Sequence, residues 1–200
     1  MLPSMLSLAA LICAILAGCT GSGTPGGPAS SSHVFGPPGS AGNPLVLSCD
    51  ARFGPSLWFR PRRPGDLVIG PLDLAGGKAV ATMTPAEYGY SSDGHGGRFY
   101  KMGLALARGA TATVTIGPPA RGHVVMDIGS LSGVTSATYH SCAHQAVGFA
   151  QGFAFTHRPF RGCVPLDVTI GNRSPAHHVT LSLFAGTCMT DPAAGTTASR

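Results

Sequence analysis

The chain has very little charge. Only 10% of its 200 residues are Asp, Glu, Lys or Arg, and Glu87 is the sole glutamate beside seven aspartates. Soluble domains usually carry about a quarter of charged residues, so most of the surface here must consist of Gly, Ser, Thr, Ala and Pro. Paired carboxylic acids of the kind that cleave glycosides are hard to assemble from so few acidic side chains. The composition therefore offers little support for acid–base catalysis.

Helical patterning and long apolar runs are also missing. No segment shows a sustained period of 3.6 residues with capping residues, and only Pro85–Tyr88 is expected to form one helical turn. The apolar run Met5–Ala17 is shorter than the roughly 20 residues of a bilayer-spanning helix. It has the length of a signal-peptide core. Met1–Ser4 contains no Lys or Arg, so either the amino terminus supplies the usual positive charge or the true start lies elsewhere.

The apolar run ends in Leu16-Ala17-Gly18-Cys19, which resembles the lipobox of bacterial lipoproteins. In proteins with this motif the cysteine is lipidated and the preceding peptide bond is cleaved, and two acyl chains anchor stably. We therefore expect residues 1–18 to be a lipoprotein signal peptide, with Cys19 holding the protein on the extracytoplasmic face of the bacterial cell membrane. The alternatives are plain secretion after cleavage and a buried helix of a cytosolic protein. Export argues against a nucleic-acid partner.

Four cysteines remain beyond the lipobox: Cys49, Cys142, Cys163 and Cys188. An even number outside the cytoplasm predicts two disulfides, for which three connectivities exist. We favour Cys142–Cys163, which closes a short loop, together with Cys49–Cys188, which ties the first strand to the last.

Composition divides the mature chain into three parts. Residues 19–44 comprise the lipidated cysteine and a linker rich in Gly, Ser and Pro, which has too little to bury to offset its ordering entropy. Residues 45–188 are expected to fold as one domain. Residues 189–200 are expected to be a disordered tail.

Alternation of apolar and polar residues with period two predicts that the folded part consists of strands. The pattern covers 100–107, 111–116, 164–170 and 179–183, with further strands expected near 45–49, 66–71, 122–129, 136–142 and 147–156. The segment Gly171–Pro175 has turn chemistry and predicts a hairpin between 164–170 and 179–183. The predicted class is all-β, an antiparallel β-sandwich of immunoglobulin-like or jelly-roll-like type, with a small barrel as the alternative.

Four segments carry a resemblance to a family. These are Gly65–Leu72, Phe99–Leu104, Ala112–Ile116 and Arg161–Val168. They are similar to uncharacterised actinobacterial exported proteins and lipoproteins that have a signal peptide, a loose linker and a small β-rich domain. The resemblance implies a location and a fold, and it implies no activity.

The densest cluster of metal-ligand residues is His140-Ser-Cys142-Ala-His144. On a strand, positions 140, 142 and 144 face the same side, so two imidazoles and a thiol would converge on zinc or copper. His177 and His178 are candidates for a fourth ligand. A disulfide at Cys142 would remove the thiolate, and in that case the histidines are ordinary surface residues.

Three further motifs have mainly non-catalytic interpretations. Arg60–Pro64 is a basic run that would suit anionic headgroups or wall polymers, or is simply a solvated loop. Gly129–Gly133 has Leu131 where a nucleophile elbow needs serine. Asp93–Gly97 is either a ligand-contacting loop or a turn.

Together these patterns predict a lipid-anchored, non-catalytic binding module without a cofactor, whose partner is an envelope protein or a wall polymer. Two alternatives stay open. One is a zinc- or copper-binding envelope protein that uses His140 and His144. The other is a hydrolase whose site is assembled from loops.

Overall fold

The computed structural model describes residues 36–51, 61–89, 91–92, 98–172 and 174–188. The predicted signal peptide, the lipidation site Cys19, the linker up to residue 35, the Asp93–Gly97 loop and the tail from residue 189 lie outside them. The strands are β1 (Leu45–Leu47), β2 (Leu67–Ile69), β3 (Leu72–Leu74), β4 (Ser91–Ser92), β5 (Arg98–Lys101), β6 (Leu104–Leu106), β7 (Thr111–Ile116), β8 (Val124–Ile128), β9 (Leu131–Val134), β10 (Ser136–His140), β11 (Val147–Phe149), β12 (Gln151–Phe155), β13 (Gly162–Ile170) and β14 (His177–Leu183). The helical elements are α1 (Pro85–Tyr88) and 3₁₀ turns at Cys49–Ala51, Ala79–Ala81 and Pro118–Ala120.

The first layer is a five-stranded sheet in the order β1-β10-β7-β13-β14. Its inner face follows from the alternation in β7, where Ala112, Val114 and Ile116 are fully buried and the threonines between them face outward. The hairpin expected at the C-terminal end is present as the β13–β14 pair. One feature departs from the prediction, because β1 pairs with β10 in parallel whereas the other pairs of this sheet are antiparallel.

The second layer contains two strand groups, β11-β6-β3-β2 and β4-β5-β12-β8-β9. The two groups form one continuous layer. The chain passes directly from β5 to β6 and from β11 to β12, and β6 pairs with β11 while β5 pairs with β12. Between the two pairings, the Met102 N–H donates to the Gln151 carbonyl at 2.9 Å. Hydrogen bonding therefore continues from one strand group to the other.

The inner faces of the two layers share one apolar core. It includes Tyr139 from the first layer and Tyr100, Phe149 and Phe153 from the second, all 1% exposed or less. Aromatic side chains of this size bury the largest area per residue and dominate the packing. The predicted all-β sandwich is thus confirmed, as is the single helical turn at Pro85–Tyr88, which has a capping box between Thr84 and Glu87.

The bounds of three predicted strands differ from those observed, and one of the three, 147–156, is divided between β11 and β12. The segment 66–71 gives β2, and the chain then turns at Gly70, whose φ of 55° suits glycine, into β3. The segment 100–107 is divided between β5 and β6. Tyr100, Met102, Leu104 and Leu106 are all buried, as their alternation predicted. The burial pattern was therefore right although the hydrogen-bonded boundaries were not.

The disulfides are Cys49–Cys142, with Cα atoms 4.9 Å apart, and Cys163–Cys188, with Cα atoms 5.7 Å apart. Two bridges were expected, but the favoured pairing of Cys142 with Cys163 and of Cys49 with Cys188 is wrong. The parallel pairing explains the first bridge, since β1 and β10 run in the same direction and their following residues emerge side by side. The second bridge fixes the segment after β14 to β13.

The folded domain begins before residue 45, where the linker was expected to end. The backbone of 36–43 forms a turn closed by a bridge between Ser40 and Asn43. Within it the Gly39 carbonyl accepts hydrogen bonds from the N–H groups of Thr135 and Ser136, at 2.7 and 2.8 Å. These bonds hold the turn against the start of β10, a contact that sequence patterning does not reveal.

Candidate binding groove

The outer face of the second layer contains a groove because its middle strand has almost no side chains there. Strand β12 lies between β5 and β8 and presents Gly152 and Ala154 outward. The register places Lys101 and Asp127 on either side of Gly152, and Phe99 and Val125 on either side of Ala154. The ring of Phe99 covers Gly152, so the open part of the groove lies over Ala154 and Thr156, between flanking strands about 9.6 Å apart.

The ring of Phe99 occupies the space that a side chain at position 152 would fill. A Cβ at position 152 would overlap both the Phe99 ring and the Tyr100 carbonyl oxygen. The ring therefore lies directly against the backbone of β12, an arrangement that only glycine permits. Phe99 is only partly buried and forms part of the groove surface.

The β8–β9 hairpin forms one wall of the groove. The cavity measures about 440 Å³, within the range of small-molecule sites. Its apolar lining residues are Phe99, Val125, Leu131 and Ala154, its polar ones are Asp127, Ser130, Ser132 and Thr156, and Gly129 and Gly133 complete it. The segment Gly129–Gly133, which lacks the serine of a nucleophile elbow, is thus the turn of this hairpin and the first three residues of β9. Leu131 is 50% exposed, an unusually open position for a leucine.

Two histidine rings contact each other just beyond the C-terminal end of β12. The rings of His123 and His157 have centroids 4.1 Å apart, and the Thr156 hydroxyl lies 2.8 Å from His157 Nδ1. The pairing follows from the register, because the Thr156 N–H donates to the His123 carbonyl at 3.0 Å. Sequence reasoning missed this pair, since the two residues are 34 positions apart and adjoin different strands, with His123 before β8 and His157 after β12. The continued antiparallel ladder was the only signal available.

The outer face of the first layer is built differently. Its hydroxyl groups bond to one another across strands, with Thr113–Thr138 at 2.8 Å, Thr115–Ser136 at 2.7 Å and Thr111 to His140 Nδ1 at 2.9 Å. These side chains satisfy each other in register, as cross-strand pairs that stabilise a sheet do. The face is therefore a structural ladder, whereas the groove on the opposite layer has the shape of a ligand site.

The histidine–cysteine cluster does not form the predicted metal site. His140 is the last residue of β10, so Cys142 and His144 follow the strand and do not continue its alternation. Cys142 is bonded to Cys49, and the ring of His140 contacts Thr111. The structure shows no group of three or more His, Cys, Asp or Glu placed to hold a metal ion among the described residues. The expectation that 140, 142 and 144 share one face is thus wrong.

The proposed fourth ligands are also placed elsewhere. His178 pairs with Asp167 on β13, with Nδ1 and Oδ1 2.6 Å apart. In the sheet order, β14 is three strands from β10, about 14 Å away. His177 instead lines a second cavity of about 490 Å³ with Val68, Gly70 and Ala176.

The described part of the basic run serves as a turn before β2. The Arg62 guanidinium donates to the Gly70 carbonyl at 2.9 Å. The buried Asp66 carboxylate accepts hydrogen bonds from the N–H groups of Arg63 and Gly76, at 2.6 and 2.8 Å. Arg62 and Arg63 thus make hydrogen bonds within the domain. The sequence alone gives no indication of these contacts.

Comparisons with known proteins identify no relative. The chain matches no protein-family model, no curated protein and no solved structure. In the described part of the chain, no helix has the length and apolar character needed to cross a membrane.

Proposed function

We propose that this protein is a non-catalytic binding module of the bacterial cell envelope, tethered by lipid on Cys19 and presenting the groove on β12 to its ligand. The observation that carries the proposal is the groove itself. Its floor is apolar and its rim carries hydroxyl groups. Strands β5, β12 and β8 are each hydrogen-bonded on both sides, and the edge strand β9 forms one wall. Sites built on strands hold their geometry better than sites on loops.

The lining chemistry favours binding over hydrolysis. Asp127 is the single ionisable side chain among the described residues that line the groove. A serine hydrolase needs a base beside its nucleophile, and a glycosidase of the usual type needs two carboxyl groups. Ser130 and Ser132 have no histidine beside them in that lining. What the lining offers is apolar contact and hydrogen bonding.

The tether is tested by membrane fractionation in the native bacterium. Cys19→Ala should move the protein from the membrane fraction to the soluble exported fraction, and mass spectrometry of the wild-type N-terminal peptide should show a diacylated cysteine. Membrane retention of Cys19→Ala would contradict lipid anchoring.

The groove is tested by site-specific photocrosslinking in cells. Leu131 in the groove wall and Val46 on the opposite layer are 50% and 64% exposed, so they form a matched pair for replacement by benzoylphenylalanine. The probe at 131 should capture one reproducible envelope component that the probe at 46 does not. Identical capture from both positions would contradict a specific role for the groove.

A further inference from the structure

Exposed basic side chains lie together at one end of the domain. This is the end of the second layer at which β12 ends and β8 begins. The segments 117–126 and 155–165 at this end contain no Asp or Glu. Their exposed basic residues, called the basic end below, are Arg121, His123, His157, Arg158 and Arg161. Resting on the lipid tether proposed above, we infer that the basic end docks on the phosphate headgroups of an anionic membrane surface.

Strand pairing brings these residues to the same place. Phe155 is paired with Val124, so the residues after β12 and those before β8 emerge side by side. A Cβ at Gly162 would lie 3.7 Å from the Phe155 ring, which places the start of β13 beside them. The β12–β13 loop therefore holds Arg158 and Arg161 close to the segment that precedes β8.

The guanidinium groups of the basic end are positioned but not neutralised. Arg121 Nε donates to the Ile116 carbonyl at 2.9 Å, which uses only one of its N–H donors. The Arg158 guanidinium lies over the Phe160 ring, 5.8 Å from the ring centre. Among the described residues, no Asp or Glu forms an ion pair with these two arginines or with Arg161. Such guanidinium groups bind phosphate oxygens through paired N–H donors.

The described chain also enters the domain at this end. The Gly39 carbonyl accepts a hydrogen bond from the Thr135 N–H, and the Thr135 carbonyl accepts one from the Ile116 N–H at 2.8 Å. Ile116 is the residue whose carbonyl holds Arg121. A lipid on Cys19 would attach through this entry, which favours contact between the basic end and the bilayer. Anionic lipids attract Lys and Arg only within about a Debye length, so this proximity favours the lipid surface over an anionic polymer elsewhere in the envelope.

The form of the surface fits a bilayer better than a small anion. Arg121, Arg158 and Arg161 line neither the groove nor the cavity beside His177. Small-molecule sites are concave, whereas a charged bilayer needs only projecting groups of opposite sign. The formal net charge of +5 has that sign.

The test is binding of the Cys19→Ala protein to lipid vesicles, so that no acyl chain on the protein contributes. One vesicle preparation is phosphatidylcholine alone, and the other contains about one third phosphatidylglycerol, an anionic lipid. The protein should sediment with the anionic vesicles and not with the neutral ones. Raising the salt from about 0.05 M to about 0.5 M should release it, because the Debye length then falls to a few ångströms.

Two double variants of equal charge separate the basic end from net charge. Arg158→Gln with Arg161→Gln should weaken binding about 25-fold, about fivefold for each arginine. Lys101→Gln with Arg108→Gln removes the same charge from exposed positions, and Arg108 lies at the opposite end, just before β7 begins. This control should weaken binding less than about twofold. Arg158→Lys with Arg161→Lys keeps the charge and should retain most of the binding, and thermal midpoints establish that each variant is folded.

The inference is overturned if anionic vesicles do not bind the protein, if neutral vesicles bind it equally, or if both glutamine double variants weaken binding alike. Tighter binding to soluble polyphosphate than to the vesicles, at equal phosphate concentration, would also overturn it in favour of an anionic polymer. A high-salt wash in the membrane fractionation described above keeps the two proposals apart, because salt releases electrostatic binding and not an acylated cysteine. Vesicle binding can therefore fail while lipid anchoring stands, and the reverse.

Discussion

The phenol of Tyr139 donates a hydrogen bond to the side-chain oxygen of Gln151 inside the sandwich, joining the first layer to the second. Both residues are buried, Tyr139 completely and Gln151 to 3% exposure. The Gln151 side-chain nitrogen has no hydrogen-bond partner among the described residues. The bond to Tyr139 therefore satisfies the oxygen of this amide, and the nitrogen stays without a partner among the described residues.

A double-mutant cycle should show that these residues are coupled. Tyr139→Phe leaves the Gln151 oxygen buried without a donor, and Gln151→Leu leaves the phenol without an acceptor, so each should cost about 1–3 kcal/mol of unfolding free energy. The double variant should cost less than the sum, because it leaves neither group unpaired. Chemical denaturation measures all four proteins. Simple additivity would show that the bond contributes nothing.

The free energy of unfolding should fall at alkaline pH because of the buried Tyr139 phenol. Burial raises the pKa of the Tyr139 phenol far above its usual value. Below about pH 10 the phenol is protonated in both states, so its contribution is complete. Above that pH the unfolded state releases the proton and the folded state keeps it, so unfolding free energy falls by up to about 1.4 kcal/mol per pH unit.

The difference between wild type and Tyr139→Phe isolates this effect, because the other titrating groups are common to both. The variant should lose less stability than wild type between pH 10 and 12, as measured by denaturation at fixed temperature. Burial also raises the pKa of Tyr88, so Tyr88→Phe provides a comparison at a more exposed site. Parallel pH curves for wild type and Tyr139→Phe would contradict the prediction.

Gly152→Ala should destabilise the fold by roughly 1–3 kcal/mol, the usual cost of overpacking. The added methyl group would overlap the Phe99 ring and the Tyr100 carbonyl oxygen. Adding Phe99→Ala should not restore stability, because the carbonyl is part of the backbone and remains. Gly42→Ala is the control, since a Cβ there meets nothing within 4 Å. Equal thermal midpoints for Gly152→Ala and Gly42→Ala would refute this account.

Removing either disulfide should destabilise the domain, and the longer loop should matter more. Replacing each cysteine pair with serine should cost about 3.5 kcal/mol for the 25-residue separation and about 4.6 kcal/mol for the 93-residue separation, by chain entropy. Non-reducing peptide mapping should recover Cys49 linked to Cys142 and Cys163 linked to Cys188. A Cys142–Cys163 peptide would contradict the structure.

Sequence patterning located strands well where one face is buried. In β7 each apolar residue is inside and each threonine outside, as alternation predicts. The β13–β14 hairpin could be predicted because its strands are neighbours in the chain and the turn between them has typical composition. Strand β9 was missed, because Leu131, Ser132 and Gly133 are exposed and show no alternation.

The candidate site could not be predicted, and the reason is physical. The groove requires Ala154 to lie between Phe99 and Val125, which come from strands separated by long stretches of chain. A small residue in one strand becomes a trough only when the neighbouring strands carry larger ones. Sequence patterns indicate only those ligand residues that are clustered in the chain, such as His140 and His144.

The sequence by itself determined the all-β class, the inner and outer faces of most strands, and the presence of two disulfides. These properties depend on local alternation and on a count of cysteines. Only the tertiary structure decided which strands are neighbours, which cysteines are bonded, and where the groove lies. Alternation fixes the face on which a side chain lies, but it carries no information about the strand beside it. That choice depends on how both layers bury their apolar faces at once.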